Sequence, residues 1–252
     1  MNNNRVGVSC FVLSLLMLVA MPAFAADQKD SGKWQWYGEL FALGAQLEGT
    51  TAAGEDIDVP LHDILDNLDF GFMGSLAARK DKWTVFADFI YVNMGEKATL
   101  PLPAPVSMEA KLNLDMRQFI STFGAAYQIA ETQKSSFNLL AGGRYLSMDA
   151  DLKYDIGSVN TGRESESGSN WDFIVGARGK TDLSDKWYIH YYADIGTGNS
   201  DMTWQAIAGI NYRFSKVDLT LGYALMDWDF DKKSMIKDMT LKGPYAGIKF
   251  RF

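Results

Sequence analysis

Ala246-Gly247-Ile248-Lys249-Phe250-Arg251-Phe252 closes the chain, and apolar and polar residues alternate through it up to a terminal phenylalanine. Successive side chains of a strand point to opposite faces. One face here is therefore Ala246, Ile248, Phe250 and Phe252, and the other is Gly247, Lys249 and Arg251. Such a strand calls for an apolar medium on one side and a polar interior on the other.

The opposite end reads as a removable signal peptide over residues 1–25. Arg5 supplies the positive start, Cys10 to Ala20 the apolar stretch, and Ala23-Phe24-Ala25 an A-x-A cleavage site. The apolar run is too short for a membrane-spanning helix. Residues 26–33 then form a short periplasmic tail, and residues 34–252 a single domain. Cys10 is the only cysteine, so the mature chain is expected to carry no disulfide, no thiolate nucleophile and no cysteine-bound metal. Cleavage removes Arg5, leaving one fewer than the 24 Lys+Arg of the full chain: 23 against 31 Asp+Glu, a net charge of −8. That balance argues against nucleic acid as a partner. No later segment is apolar for long enough to cross a bilayer as a helix. A closed barrel, with every backbone group paired between strands, is the other way to cross.

Beyond residue 32 the dominant period is two. Ten segments have strand character: about 34–48, 68–79, 83–95, 108–130, 137–154, 171–181, 187–196, 202–214, 217–229 and 240–252. The links at 80–82, 131–136, 182–186 and 215–216 are short; those at 49–67, 96–107, 155–170, 197–201 and 230–239 are mostly longer. Short turns on one rim and longer loops on the other match a bacterial barrel with both termini on the periplasmic side and an even number of strands. The expectation is an all-β, transmembrane, antiparallel up-and-down barrel of ten strands, or eight if the first or fourth segment is misread.

Aromatic residues mark two tiers on the apolar face. The lower is Trp83, Phe137, Trp187, Phe214 and Phe252; the upper is Phe70, Tyr91, Tyr145, Trp171 and Trp204. Eight residues at ~3.3 Å each, tilted by ~40°, cover roughly 20 Å of height, close to the apolar band of such barrels. Rings with one apolar and one wet end collect at that level. With Ala246-x-Ile248-x-Phe250-x-Phe252, these girdles and segments such as Leu139-Ala-Gly-Gly-Arg-Tyr145, the chain resembles the small outer-membrane β-barrel proteins of Gram-negative bacteria, the group around OmpA-type and OmpW-type barrels. The resemblance covers nearly the whole mature chain and speaks to architecture. It implies location in the cell outer membrane among its lipid and lipopolysaccharide, with the barrel-assembly machinery and periplasmic chaperones as partners during biogenesis.

The parity that turns aromatics outward turns charges inward. Asp69, Arg79, Asp88, Arg144, Asp172, Arg178, His190, Asp194, Arg213, Lys249 and Arg251 are assigned to the lumen, with Asn138, Gln205 and Asn211. An Arg or Lys facing lipid at mid-depth would cost ~2–4 kcal/mol, which ties down the register. Mixed signs suit a filled lumen of paired charges. Arg79, Arg178, Arg213 and Arg251 fall near the lower ends of downward strands, either paired with Asp81, Asp182 and Asp185 in the turns or forming an anion-attracting vestibule. Phe86, Ile90, Tyr188, Tyr192, Trp228 and Tyr245 are also assigned inward. In the fourth segment Lys111, Asn113, Asp115 and Arg117 share a face with Phe119, Phe123 and Tyr127, so either a bulge shifts the register or those rings point inward.

Catalysis is not expected. His190 and Asp194 share a strand face roughly 13 Å apart, beyond hydrogen-bond reach. No Ser lies within two residues of His190, and the paired Asp-Asp and His-Asp spacing of outer-membrane proteases is absent. His62 sits in an acidic first loop with Glu55, Asp56, Asp58, Asp63, Asp66 and Asp69, whose spacing matches no calcium loop. After Pro60, the residues Leu61, Ile64, Leu65 and Leu68 suggest a short amphipathic helix. The second loop, with Pro101, Pro103 and Pro105, should be extended, and the third, Gly157 to Asn170, mobile. Lys232, Lys233 and Lys237 in the last loop suit lipopolysaccharide phosphates. The expected function is structural or porin-like, without cofactor or metal. The alternatives are a narrow channel or binding barrel for small, even apolar, solutes, and a surface adhesin acting through the loops.

Overall fold

Period-two alternation needs a neighbour on each side, and ten strands supply them in a ring. The computed structural model describes residues 32–51, 54, 56–101, 109–155, 161–230 and 236–252. The signal peptide, most of the N-terminal tail, Pro103, Pro105, Lys232 and Lys233 lie outside the described residues. The strands of the ring are β1 (Gln35–Leu43), β4 (Leu68–Lys80), β5 (Trp83–Pro101), β6 (Glu109–Glu131), β7 (Ser135–Asp155), β8 (Thr161–Asp182), β9 (Trp187–Gly198), β10 (Ser200–Arg213), β11 (Val217–Phe230) and β12 (Ile236–Arg251). Each pairs antiparallel with the next, and β1 pairs with β12 from Tyr37↔Arg251 to Leu43↔Tyr245, closing the barrel. The Phe252 N–H donates to the Trp36 carbonyl at 3.0 Å, so the last residue is tied into the closing seam.

Two short strands, β2 (Gln46–Thr51) and β3 (Asp56–Val59), lie outside the ring. β2 pairs with the upper part of β12, starting at Gln46↔Lys242, in the same register as β1. The break between β1 and β2 falls opposite Pro244, which has no N–H for the ladder. A Cβ on the neighbouring Gly243 would lie 2.0 Å from the Gly44 carbonyl oxygen, so only glycine admits this approach. On its other side β1 pairs with β4 only from Gln35↔Arg79 to Leu40↔Gly74. Above that the strands part. The Leu43 N–H ends on the Met73 sulfur at 3.3 Å, and β2 turns to pair with β3. The helix α1 (Leu61–Asp66) follows Pro60 and sets Leu61 against Gly44.

β4 to β5, β6 to β7, β8 to β9 and β10 to β11 are joined by short turns on one rim. Asp81 turns the first of these with φ 54°, a conformation that Asp tolerates. On the other rim the wall rises unevenly. β5 through β8 pair continuously up to Pro101, Glu109, Asp155 and Thr161.

This high wall corrects two expectations. Thr161–Asn170 is strand rather than mobile loop, with Arg163 and Ser165 bonded to Asp151 across the ladder. β6 contains neither the bulge nor the inward rings expected of it at Phe119–Tyr127. Its pairing with β5 runs unbroken from Pro101↔Glu109 to Trp83↔Tyr127, and the one shift in its pairing with β7 falls lower, at Gln128/Ala130. Phe123 and Tyr127 are exposed on the outer face, where Tyr127 meets Trp83 and Phe119 meets Tyr145. Asp115 and Arg117 share that face higher up, above the aromatic tier, paired with Lys153 and Asp151. One face changes from apolar to charged because the strand outruns the belt.

Burial is inverted relative to a water-soluble fold. Leu221 (63 %), Phe173 (62 %), Trp36 (57 %) and Leu76 (57 %) are exposed on the outside. Soluble monomers rarely expose apolar surface contiguously on that scale. The buried residues are those that point into the barrel.

Candidate functional site

The lumen is built in layers, and the strand parity decides what each contains. Towards the high rim an apolar cluster fills it. Trp228, Ile120, Leu146 and Met239 are each at most 3 % exposed, and Met226, Phe230, Leu241, Ile90 and Val92 pack with them. A smaller cluster joins Phe86, Ala126, Leu140 and Ile174 along one wall. The expected polar filling is therefore confined to part of the lumen. Leu140 and Leu146 share a face with Arg144, so the same parity that placed the arginine placed them too.

Arg144 sits against this plug with no exposed surface. It donates to both carboxylate oxygens of Asp194 at 2.6 and 2.8 Å, to Gln205 at 2.7 Å, to Thr203 at 2.8 Å and to Thr122 at 3.3 Å. Its guanidinium lies 5.7 Å from the Trp228 ring centroid. Tyr192 donates to the same Asp194 at 2.5 Å. Asp172, opposite Arg144 in the ladder, instead accepts from the Ser200 N–H and hydroxyl, both at 2.9 Å. Every nitrogen of the guanidinium already donates to a buried partner, which commits the group to the wall of the lumen.

Below lies a central pocket of about 160 Å³, lined by Asp88, Ile90, Ile207, His190, Tyr192 and Tyr245 among others. The Thr220 hydroxyl donates to Asn211 Oδ1 at 2.7 Å and orients that amide. Asn211 in turn donates to His190 Nδ1 at 2.7 Å. The proton of the neutral imidazole then sits on Nε2, which donates to the Tyr245 hydroxyl at 2.5 Å. Both ring nitrogens are occupied.

Further down, a cavity of about 360 Å³ opens between the short turns. It shares Glu39, Ser75, Arg178, His190 and Lys249 with the central pocket. Arg213 pairs with Asp182 at 2.5 Å, Arg251 with Asp218 at 3.1 Å and Lys249 with Glu39 at 3.4 Å. Asp218 also accepts from Tyr188 at 2.8 Å. Arg79 donates to the Gln128 side chain at 2.5 Å and to the Asp81 backbone carbonyl at 3.3 Å, not to the Asp81 carboxylate. Arg178 stacks 5.2 Å from the Phe86 ring centroid. Asn138, also lining this cavity, donates to the Arg178 carbonyl at 3.3 Å. Lys180 lines the same cavity, a residue that parity along β8 places inward beside Arg178.

Asp69 departs from its lumen assignment. It is the extra residue of a bulge between Leu68 and Phe70, exposed, with its carboxylate beside Gly95 and Asp115 on the outer side. A one-residue bulge reverses the facing of the residue it inserts, which alternation alone does not reveal. His62 is paired with Asp63 at 3.0 Å on the surface, and the acidic loop forms no metal-ligating group among the described residues.

On the outside, Phe70, Trp83, Trp171, Trp187, Phe214 and Phe252 are exposed, while Tyr91, Phe137, Tyr145 and Trp204 are half-covered by neighbours. Tyr145 packs on Trp171 at 4.6 Å, Trp187 on Tyr212 at 4.8 Å and Phe137 on Tyr191 at 6.4 Å. The tyrosines at 191 and 212 were legible as outward by parity but lay outside the ends used to mark the tiers, whereas the outward facing of Tyr127 ran against the expectation for its strand.

No family model and no curated protein matches the sequence. Solved structures do. The chain is similar to the outer membrane protease OmpT of Escherichia coli over 88 % of its length and 97 % of that chain, with a TM-score of 0.50 at 8 % identity. Ail, the attachment invasion locus protein of Yersinia pestis, aligns over 88 % of this chain and 99 % of its own, with a TM-score of 0.36 at 13 % identity. The translocator domain of the autotransporter NalP from Neisseria meningitidis aligns over 90 % of each chain, with a TM-score of 0.43 at 13 % identity. The fold is that of the outer-membrane β-barrels.

Proposed function

We propose that this chain is an integral protein of the outer membrane whose barrel is closed to through-flow and carries no catalytic step. The observation that carries this reading is the apolar plug, in which Trp228 is wholly buried and Ile120 and Leu146 nearly so. Among the described residues, water and ions meet Trp228 and Arg144 before they could cross. The exposed belt from Trp36 to Phe173 supports lipid and lipopolysaccharide as surroundings, and a closed barrel with an apolar exterior calls for delivery by periplasmic chaperones to the barrel-assembly machinery. The engagement of His190 by Asn211 and Tyr245, and of Asp194 by Arg144, supports a non-enzymatic role. The test is single-protein conductance in a planar bilayer. The expected trace shows no stable ohmic step, and a reproducible open channel in the wild type overturns the reading.

The high wall favours a second reading, adhesion at the cell surface. β5 to β8 continue ten residues past the Tyr91–Tyr145 tier, and at ~3.3 Å per residue such a sheet stands well clear of a bilayer. Its outer face carries Asp115, Arg117, Asp151, Lys153 and Arg163. Asp149 and Ser167 are ladder partners, so deleting 150–166 joins two paired positions and shortens the wall without breaking the barrel. Cells carrying the shortened protein should lose binding to host or matrix surfaces while the protein keeps its heat-modifiable mobility. Unchanged binding removes this reading.

A further inference from the structure

We propose that the lower cavity is a blind cup that binds a small soluble polyanion, one bearing phosphate or carboxylate groups, from the periplasmic side. Six cationic side chains line it: Arg79, Arg178, Lys180, Arg213, Lys249 and Arg251. Two carboxylates, Glu39 and Asp218, line it with them. Three of the cations have carboxylate partners within 4 Å, in the pairs Arg213–Asp182, Arg251–Asp218 and Lys249–Glu39. The other three make no ion pair among the described residues. Arg79 is held by an amide and a carbonyl oxygen, Arg178 lies on an aromatic face, and Lys180 feels the carboxylates of Asp182 and Asp218 as well as Arg213 and Arg79 without forming an ion pair to either carboxylate. Asp88, deeper in the central pocket and bonded to Ser75, feels Arg178 and Lys249 but contacts neither as an ion pair.

Like charges crowded in a low-dielectric enclosure repel one another, and an anion among them relieves that repulsion. Arg178 and Lys180 lie two residues apart on one strand face, so both project into the same space. Arg79 reaches it from β4 across the lumen. The roof is the central pocket and, above it, the plug. A ligand that enters between the short turns therefore leaves by the same mouth. At about 360 Å³ the cavity holds a compact metabolite-sized molecule and no polymer. The barrel wall separates the cup from lipid, so the occupant is a free anion rather than a phospholipid headgroup.

The inference rests on the closed-lumen reading only for the route of entry; binding itself is measured on protein in which both rims are open to solution. The full mature barrel in nanodiscs of zwitterionic lipid is titrated with inorganic pyrophosphate in a calorimeter. Saturable one-to-one binding is expected, weakening as salt screens the charges. Arg178→Gln with Lys180→Gln should weaken it by about tenfold or more, as loss of two charge-assisted contacts does. Lys153→Gln, on the outer wall, should leave it unchanged, and heat-modifiable mobility reports that each variant is folded. No saturable binding in the wild type, or equal affinity in the double variant, overturns the proposal. Abolition of the signal in nanodiscs containing anionic phospholipid would give the site to a headgroup and overturn it too. A conducting but pyrophosphate-binding barrel would sink the closed lumen and leave the cup standing.

Discussion

Arg144 shows how far one residue can be read from its strand and where that reading stops. Alternation with the outward Tyr145 turns it into the lumen. Its partner Asp194 lies two strands away, on β9, and the two meet only once both strands have paired with β8 between them. The pair is fully desolvated, with neither side chain exposed. Breaking such a pair by removing one member leaves an uncompensated buried charge, a loss of about 3–5 kcal/mol. Arg144→Ala should therefore lower the free energy of unfolding by that order in urea titrations of the protein folded into lipid vesicles. The double change Arg144→Met with Asp194→Leu should recover most of the loss, because it removes both charges and refills the space beside Trp228. Equal destabilisation of the single and double variants would show that packing rather than charge is at stake. Lys180 teaches the opposite lesson. Its inward position followed from the same parity as Arg178, yet only the shape of the cavity gave it a role.

At the scale of strands, the wall above the belt is the element the sequence concealed. Gly162 through Asn170 is rich in Ser, Glu and Gly and lacks an apolar face, so composition reads it as loop. It is strand because β7 offers a complete row of backbone partners, and backbone pairing needs no apolar side chain. The side-chain tie is Asp151, which accepts from Ser165 and Arg163. These partners, the Ser165 hydroxyl first and Arg163 next, hold its carboxyl below the usual carboxylate range. A depressed folded value means that its contribution to the wall is complete above the unfolded value. The contribution fades as pH falls from there through the lower folded value. The protection of amides 147–153 and 163–167, taken relative to the intrinsic exchange rate at each pH, should fall in that acid window and stay constant between neutral pH and the ordinary carboxylate value. In Asp151→Asn the acid step should vanish and exchange should be faster at neutral pH. The parting of β1 from β4 above Leu40 and Gly74 was equally hidden. It follows from the turn of β2 towards β3, a choice made in a loop of weak pattern.

For the molecule as a whole, the plug decides what the barrel does. Trp228 fills the lumen beside Arg144, and Trp228→Ala removes the largest fully buried side chain. A truncation of this kind costs about 3–5 kcal/mol, and in a planar bilayer it should turn a silent barrel into one with a measurable, narrow conductance. Silence in that variant would place the seal elsewhere in the cluster. Strand order, closure, the facing of most side chains and the aromatic tiers were legible in the chain because period-two patterning is a local property, enforced residue by residue by the medium on each face. The partners of Arg144, the division of the lumen into an apolar plug and a cationic cup, the bulge at Asp69 and the height of the wall belong to the tertiary structure alone. The first two depend on which side chains from separate strands meet inside the assembled barrel, and the last two on the backbone partners that a neighbouring strand offers, and neither is a property of one strand's own pattern.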